Sequence, residues 1–226
     1  MSKYPRITHV IYDLDGLLLD TEIFYSKVDC ALVSRYGKIL DEVVKSKIAG
    51  MKAQDVARIL VETLELPVTP QIYLEERQEL LLELFPQALP LPGAVRLTKH
   101  LHEHGIPQAI ASSSVRRSFE RKITNHRDWF ALFDCIVLGD DPDVKQGKPA
   151  PDTFALAAER LKAKPENCLV FEDAPAGVES ARAAGMSVVA IANPNFDRHL
   201  YQNANYVLNS LTEFEPQLWH LPPFKP

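Results

Sequence analysis

Ile7-Thr8-His9-Val10-Ile11-Tyr12-Asp13-Leu14-Asp15-Gly16 is the stretch on which the fold turns. A short apolar run that stops abruptly at two acids and a glycine has the character of a strand buried on both faces. Five further runs of the same kind follow, at Pro107–Ala111, Cys135–Leu138, Cys168–Phe171, Val188–Ile191 and Tyr206–Leu208. Helical patterns lie between most of them. Gly93–His104 puts Val95, Leu97 and Leu101 on one face and stops at Gly105, while Thr153–Leu161 and Ala176–Ala184 repeat the pattern, the second ending at Gly185. Strand and helix in alternation predict an α/β fold: a Rossmann-like parallel sheet with helices on both faces.

One region breaks the alternation. Thr21 to Leu89 carries no strand pattern, only helical periodicity, with helices expected at Glu22–Tyr36, Asp41–Ile48, Ala53–Leu64 and Pro70–Leu84. Phe85–Gly93, FPQALPLPG, holds three prolines and a glycine and suits a return linker. The expected organisation is a discontinuous core of residues 1–17 and 90–226, interrupted by a four-helix cap at 18–89. This accounts for a chain of 226 residues, long for one simple domain and short for two. The tail HLPPFKP reads as an extended end.

Composition narrows the function. With 46% hydrophobic and 24% charged residues the chain is globular rather than disordered. A net charge of −5 lacks the basic face that sequence-independent nucleic-acid binding needs. No apolar run approaches the ~18 residues of a membrane span, and the N-terminus has no secretion signal. Cys30, Cys135 and Cys168 form no paired framework, so a reducing, cytoplasmic setting is expected, with a monomer as the default state. His100, His102 and His104 fall in the last turn of a helix, where imidazoles suit the free carbonyls better than a metal. Arg116, Arg117, Arg121, Lys122 and Arg127 read as a solvated helix face, and Asp140, Asp141 and Asp143 as loop acids with a secondary place near a metal as the alternative.

Ligands of open parallel sheets bind beyond the carboxyl ends of the strands. There the sequence places Asp13 and Asp15 after the first strand and Ser112-Ser113-Ser114, read as opening a helix, after the second. Lys148 follows the third and Glu172-Asp173 the fourth. Crowded carboxylates call for a divalent cation, and hard oxygen donors in small number suit Mg²⁺. Serine hydroxyls and backbone N–H groups make a phosphate cradle, and a lysine supplies a positive point charge. The combination points to phosphoryl transfer through an aspartyl-phosphate.

These residues, in this order, resemble the four motifs of the haloacid dehalogenase superfamily of phosphohydrolases: Asp13-Leu14-Asp15-Gly16, Ser112, Lys148 in GKPAPD and Glu172-Asp173 in VFEDAPAGVESA. The stretches LGDDPDVKQGKPAPDTF and CLVFEDAPAGVESARAAGM are similar to a eukaryotic branch that includes pseudouridine-5′-phosphatases and glycerol-3-phosphatases. The resemblance implies that Asp13 is the nucleophile and Asp15 the proton donor and acceptor. It implies Mg²⁺ held by Asp13, the Asp15 carbonyl and Asp173, with Glu172 bound directly or through water. Ser112, Lys148 and the amides around Leu14 and Ser113 would hold the phosphoryl group.

The expected substrate is a small phosphomonoester, pseudouridine 5′-phosphate ahead of glycerol 3-phosphate or another sugar phosphate. Glu22, Tyr25, Asp29, Met51 and Lys52 are the candidate cap contacts, since they lie where the cap leaves and faces the core. A β-phosphoglucomutase-type phosphomutase is the rival within the fold. Ala53 stands where that group has a cap arginine, and Tyr25 where it has a cap histidine, which weighs against it. Metal-free dehalogenation leaves Glu172-Asp173 without a purpose, and a silent binding module leaves four intact motifs without one.

Overall fold

The computed structural model describes residues 4–48, 53–194 and 196–225, apart from the Ser46 side chain. The first core strand is β1 (His9–Tyr12), followed by β2 (Leu19–Asp20) and the helices α1 (Glu22–Arg35), α2 (Glu42–Ile48), α3 (Ala53–Thr63) and α4 (Pro70–Leu84). The chain returns through β3 (Leu89–Pro90), α5 (Ala94–Glu103), β4 (Gln108–Ala111), α6 (Arg116–Lys122), α7 (Arg127–Phe130) and β5 (Cys135–Val137). It ends with α8 (Asp152–Arg160), β6 (Cys168–Glu172), α9 (Pro175–Ala183), β7 (Ser187–Ile191) and β8 (Tyr206–Leu208).

Six strands form one parallel sheet in the order β5-β4-β1-β6-β7-β8. The chain first builds leftward from β1 and then rightward from β6, so the topological switch falls between these two neighbours. Ligands of such sheets bind in the crevice at that point. Tyr12 lies level with Ile110 of β4 and Phe171 of β6, which brings the three loops that follow these strands side by side.

Successive strand residues point to opposite faces. Ile11, Val170 and Val188 pack with Phe154 and Ala157 of α8 and Val178 and Ala181 of α9. Val10, Tyr12, Leu169 and Phe171 pack on the other face, and that core runs on through Leu17, Leu18 and Phe85 to Phe24, Val28 and Leu60 of the helical segment. The sheet is thus covered on both sides, as an all-parallel sheet must be.

Two local features depart from the sequence expectation. Leu19 and Asp20 pair antiparallel with Pro90 and Leu89, making a two-residue ribbon where the helical segment leaves and returns. So short a ladder has no periodicity to detect. The serines do not open a helix either: α6 begins at Arg116, and Ser112–Ser114 form the loop before it. The Asp140 carboxylate accepts from the Arg116 amide at 2.9 Å and satisfies that helix start from the neighbouring loop.

Candidate active site

The switch point gathers two separate charge clusters. In the first, Lys148 Nζ donates to Asp13 Oδ1 at 2.5 Å, to Glu172 Oε1 at 2.6 Å and to the Ala111 carbonyl at 3.0 Å. Asp13, Glu172 and the lysine side chain are all buried. The second Glu172 oxygen accepts from the Ala174 amide at 2.9 Å, so both of its oxygens are engaged by the protein. Glu172 here is the anchor of Lys148. Gly177 makes this possible, since a Cβ there would fall 1.7 Å from Glu172 Oε1.

Asp173 is buried beside them. Its Oδ2 accepts from Asn193 Nδ2 at 3.0 Å, and its carbonyl accepts from the Tyr201 hydroxyl at 2.5 Å. Gly16 approaches from the β1 loop with φ of +76°, and a Cβ there would come within 2.3 Å of Asp173 Oδ2. Only glycine allows both that backbone conformation and that proximity.

In the second cluster the Asp15 carboxylate receives four donors. Thr21 Oγ1 reaches Oδ1 at 2.6 Å, Ser114 Oγ reaches Oδ2 at 2.8 Å, Ser112 Oγ lies 3.5 Å from Oδ2, and Lys122 Nζ bonds to Oδ1. Thr21 precedes α1 as an N-cap residue would, yet its hydroxyl makes no cap bond and goes to Asp15 instead. The cleft above has a volume of about 1790 Å³, and Glu22, Tyr25, Ser113, Ser114 and Lys148 are among its walls.

Electrostatics separate the two clusters. Burial pushes the Asp13 carboxyl up to about 7 against the pull of Lys148, with Glu172 and Asp15 adding to the rise. Asp173 is raised for the same reasons, burial first and then the charges of Glu172 and Asp13. Asp15 behaves oppositely. Burial alone would raise it, but the Lys122 ammonium with the Thr21 and Ser114 hydroxyls holds it below the usual carboxylate range. The first cluster is short of positive charge, and the second is balanced.

That shortage is the test of a metal. Asp13 and Glu172 share the single charge of Lys148, and among the described residues the Asp173 carboxylate has only the Asn193 amide, so a cation beside Asp13 and Asp173 would supply the missing positive charge. Among the described residues no three His, Cys, Asp or Glu side chains converge as a protein-only metal cage. Magnesium does not ask for one: one or two carboxylates, waters and substrate phosphate oxygens suffice. The donor set fits Mg²⁺.

Other expectations need correction. Asp29 borders the cleft, but both its oxygens are taken by Arg77 and Tyr73 adds a third bond, so within the helical segment it is already engaged. Met51 and Lys52 lie outside the described residues. Lys122 does not belong to a solvated face; it is fully buried at Asp15. Sequence held a signal for it, because Ser118, Phe119 and Lys122 share the inward side of α6. Asn193, Thr21 and Tyr201 carried no comparable signal.

His100 and His104 do bond carbonyls, at 2.9 Å to Pro222 and 2.7 Å to His100. Asp141 and Asp143 pair with Arg160, away from the site.

Comparison with known proteins agrees with this geometry. The model of a hydrolase family, the haloacid dehalogenase-like hydrolases, matches residues 7–185. The (DL)-glycerol-3-phosphatase 2 of Arabidopsis thaliana is 46% identical over 97% of this chain and 93% of its own. A Drosophila melanogaster protein named as a probable pseudouridine-5′-phosphatase is 40% identical over 97% of this chain and 96% of its own. A crystal structure of a HAD hydrolase, family IA, variant 3, from Entamoeba histolytica covers 95% of this chain and 98% of that one with a TM-score of 0.80. At 24% identity that likeness shows the fold.

Proposed function

Because the chain belongs to the haloacid dehalogenase-like hydrolase family, we propose that it is a Mg²⁺-dependent phosphatase of small metabolites working through a phosphoryl-enzyme on Asp13. The observation that carries this is the convergence of Asp13, Asp15, Ser112, Lys148 and Asp173 on one sheet edge, with Lys148 bonded to Asp13. Asp13, Asp173 and the Asp15 carbonyl would hold the metal. When bound, Mg²⁺ neutralises charge as an anionic carboxylate approaches an anionic phosphate.

An Asp13 oxygen attacks phosphorus, a carboxylate–phosphorus bond forms, and the ester P–O bond breaks. In its protonated form Asp15 gives that proton to the departing oxygen and, ionised by the transfer and met by Lys122, then takes one from the water that cleaves the intermediate. Ser112, Lys148 and the Leu14 and Ser113 amides hold the phosphoryl oxygens through both steps. Glu172 keeps Lys148 in place.

Residues 18–89 act in this reading as a cap over the site, and 1–17 with 90–226 as the core. Contacts between α4 and α6 support it: Gln78 Nε2 donates to Ser118 Oγ at 2.9 Å, and Arg121 Nε donates to the Leu82 carbonyl at 2.9 Å. Lid closure excludes water and completes the leaving-group contacts. Glu22 and Tyr25 on α1 are the described cap residues placed to meet that group. Among the described residues no helix is long and apolar enough to cross a membrane, and the three thiols are unpaired, which supports action in a reducing cytoplasm.

Glycerol 3-phosphate and pseudouridine 5′-phosphate are the two leading substrates. The plant relative's 46% identity gives the first more weight than the sequence resemblance did, and the fruit-fly relative keeps the second in contention. Phosphate release from a panel of ~100 phosphomonoesters, ranked by kcat/KM with and without EDTA, decides between them. Asp13→Asn retaining full Mg²⁺-dependent activity would falsify the phosphoryl-enzyme mechanism.

A further inference from the structure

Two lysines are buried at this site, and each serves a different aspartate. Lys148 bonds to Asp13 and Glu172. Lys122 lies on α6 with none of its surface exposed, facing Asp15. Its ammonium also donates to Ser114 Oγ at 2.7 Å, approaches the Tyr25 hydroxyl at 3.4 Å and sits 4.5 Å from the Phe85 ring centroid. Phe85 and Tyr25 both come from the helical segment or its return, so the lysine is enclosed between core and cap elements.

A buried ammonium is tolerated only when its charge is met. Asp15 meets it, and the arrangement constrains the aspartate in return. Among the four donors to the Asp15 carboxylate, Lys122 alone is charged, and it also fixes Ser114, whose hydroxyl passes on to Asp15 Oδ2. Thr21 and Ser114 hold one oxygen each, on opposite sides of the group.

We propose that Lys122 is a positioning residue for the leaving-group side of the reaction, fixing the rotamer from which Asp15 meets the ester oxygen. The inference rests on the reading of Asp15 as proton donor. Its consequence depends on the ester. An alkoxide is a poor leaving group and needs the proton as the P–O bond breaks, whereas p-nitrophenolate leaves unaided. Loss of a residue that only maintains the cleft would slow both esters alike.

The experiment compares wild type, Asp15→Asn, Lys122→Met, Lys122→Arg and Ser114→Ala on glycerol 3-phosphate, pseudouridine 5′-phosphate and p-nitrophenyl phosphate. The measured quantity is kcat/KM, which reports events up to the first P–O cleavage. General acid catalysis contributes roughly 10²–10⁴-fold, so Lys122→Met should lower kcat/KM on the alkyl esters by about 100-fold and on the aryl ester by less than about 5-fold.

Lys122→Arg should recover most of the alkyl activity. Ser114→Ala, the milder change, should show the same selectivity at smaller size and decides the matter if Lys122→Met does not fold. Equal losses on both ester types in the lysine and serine variants would overturn the role of Lys122. Equal losses in Asp15→Asn would instead overturn Asp15 as the proton donor.

Discussion

Asp29 offers the sharpest test of how the helical segment is held together. Arg77 Nε and Nη2 donate to its two oxygens at 2.7 and 2.9 Å, and the Tyr73 hydroxyl donates to Oδ1 at 2.9 Å. The Arg77 and Asp29 side chains are 8% and 4% exposed, so this bidentate pair joins α4 to α1 away from bulk water. Asp29→Ala strands a guanidinium and a phenol in that interior. Breaking one partner of a buried pair costs about 3–5 kcal/mol, most of it from the charge left behind. For a chain of this size that is a drop in Tm of roughly 6–20 °C.

Replacing both charged partners, as in Asp29→Leu with Arg77→Met, removes the ionic desolvation cost together with the attraction, leaves only the neutral Tyr73 hydroxyl without Asp29, and should fall within about 2 kcal/mol of wild type. Urea and thermal unfolding followed by circular dichroism measure the stabilities, and kcat/KM below the transition measures function. The double variant should keep near-wild-type kcat/KM. Loss of activity in both variants with stability changed by less than about 1 kcal/mol would refute the structural role and return Asp29 to the substrate.

Three further outcomes follow from the core. Asn193→Ala removes the amide bonded to Asp173 and should raise the Mg²⁺ concentration for half-maximal activity at least about 10-fold; an unchanged Mg²⁺ titration contradicts this. Gly16→Ala forces a Cβ onto Asp173 Oδ2 at φ +76°, costing about 1–2 kcal/mol in backbone alone. Its Tm and Mg²⁺ dependence should both shift, and wild-type values for both would refute the close approach.

In metal-free protein Asp13 binds its proton more tightly folded than unfolded, because burial raises it to about 7. The contribution of this group to native stability should therefore decline as pH rises between about 4 and 7 and level off above, by up to about 1.4 kcal/mol per unit, with Asp173, raised likewise, adding to the fall. Asp13→Asn should flatten that decline, and an identical pH profile for the variant would count against the buried carboxyl.

The six core strands were legible because strands of a parallel sheet covered on both faces are short apolar runs. Each observed strand falls on an expected run or within a residue of it. The four inserted helices were legible from the helical spacing of their apolar residues, and each observed helix lies within its expected range. The β2–β3 ribbon was not, since its two residues per strand pair across a separation of about 70. The burial of Lys122 at Asp15 and the pairing of Asp29 with Arg77 were not legible for a related reason. A charged residue on a helix reads as solvated from its neighbours, and Arg116, Arg117 and Arg121 do surround Lys122. Its partner Asp15 is 107 positions away, and that of Asp29 is 48 away. Pairings at such separations are set by packing: the spacing from Phe119 puts Lys122 on the inward side of α6, but no local pattern names its partner.

In the proposed mechanism the two clusters also divide the reaction. On the attack side, Asp13, Glu172 and Asp173 face Lys148 alone, so ionising all three would leave two negative charges uncompensated before any phosphate enters. A phosphate dianion approaching that surface would be repelled, so under the proposed mechanism substrate binding on this side would call for a divalent cation as well as the lysine. On the other side Asp15 and Lys122 cancel, and the surrounding groups are hydroxyls and rings. A neutral polyol or nucleoside can depart there without leaving a charge unsatisfied. Glu22 lines the same part of the cleft, where Asp15 adds to the cost of its charge. A leaving group that carries a second phosphate would meet that carboxylate, with Lys122 already committed to Asp15. Glu22 and the committed Lys122 therefore weigh against a second phosphate at that point of the cleft, the same direction in which Ala53 and Tyr25 point from the sequence.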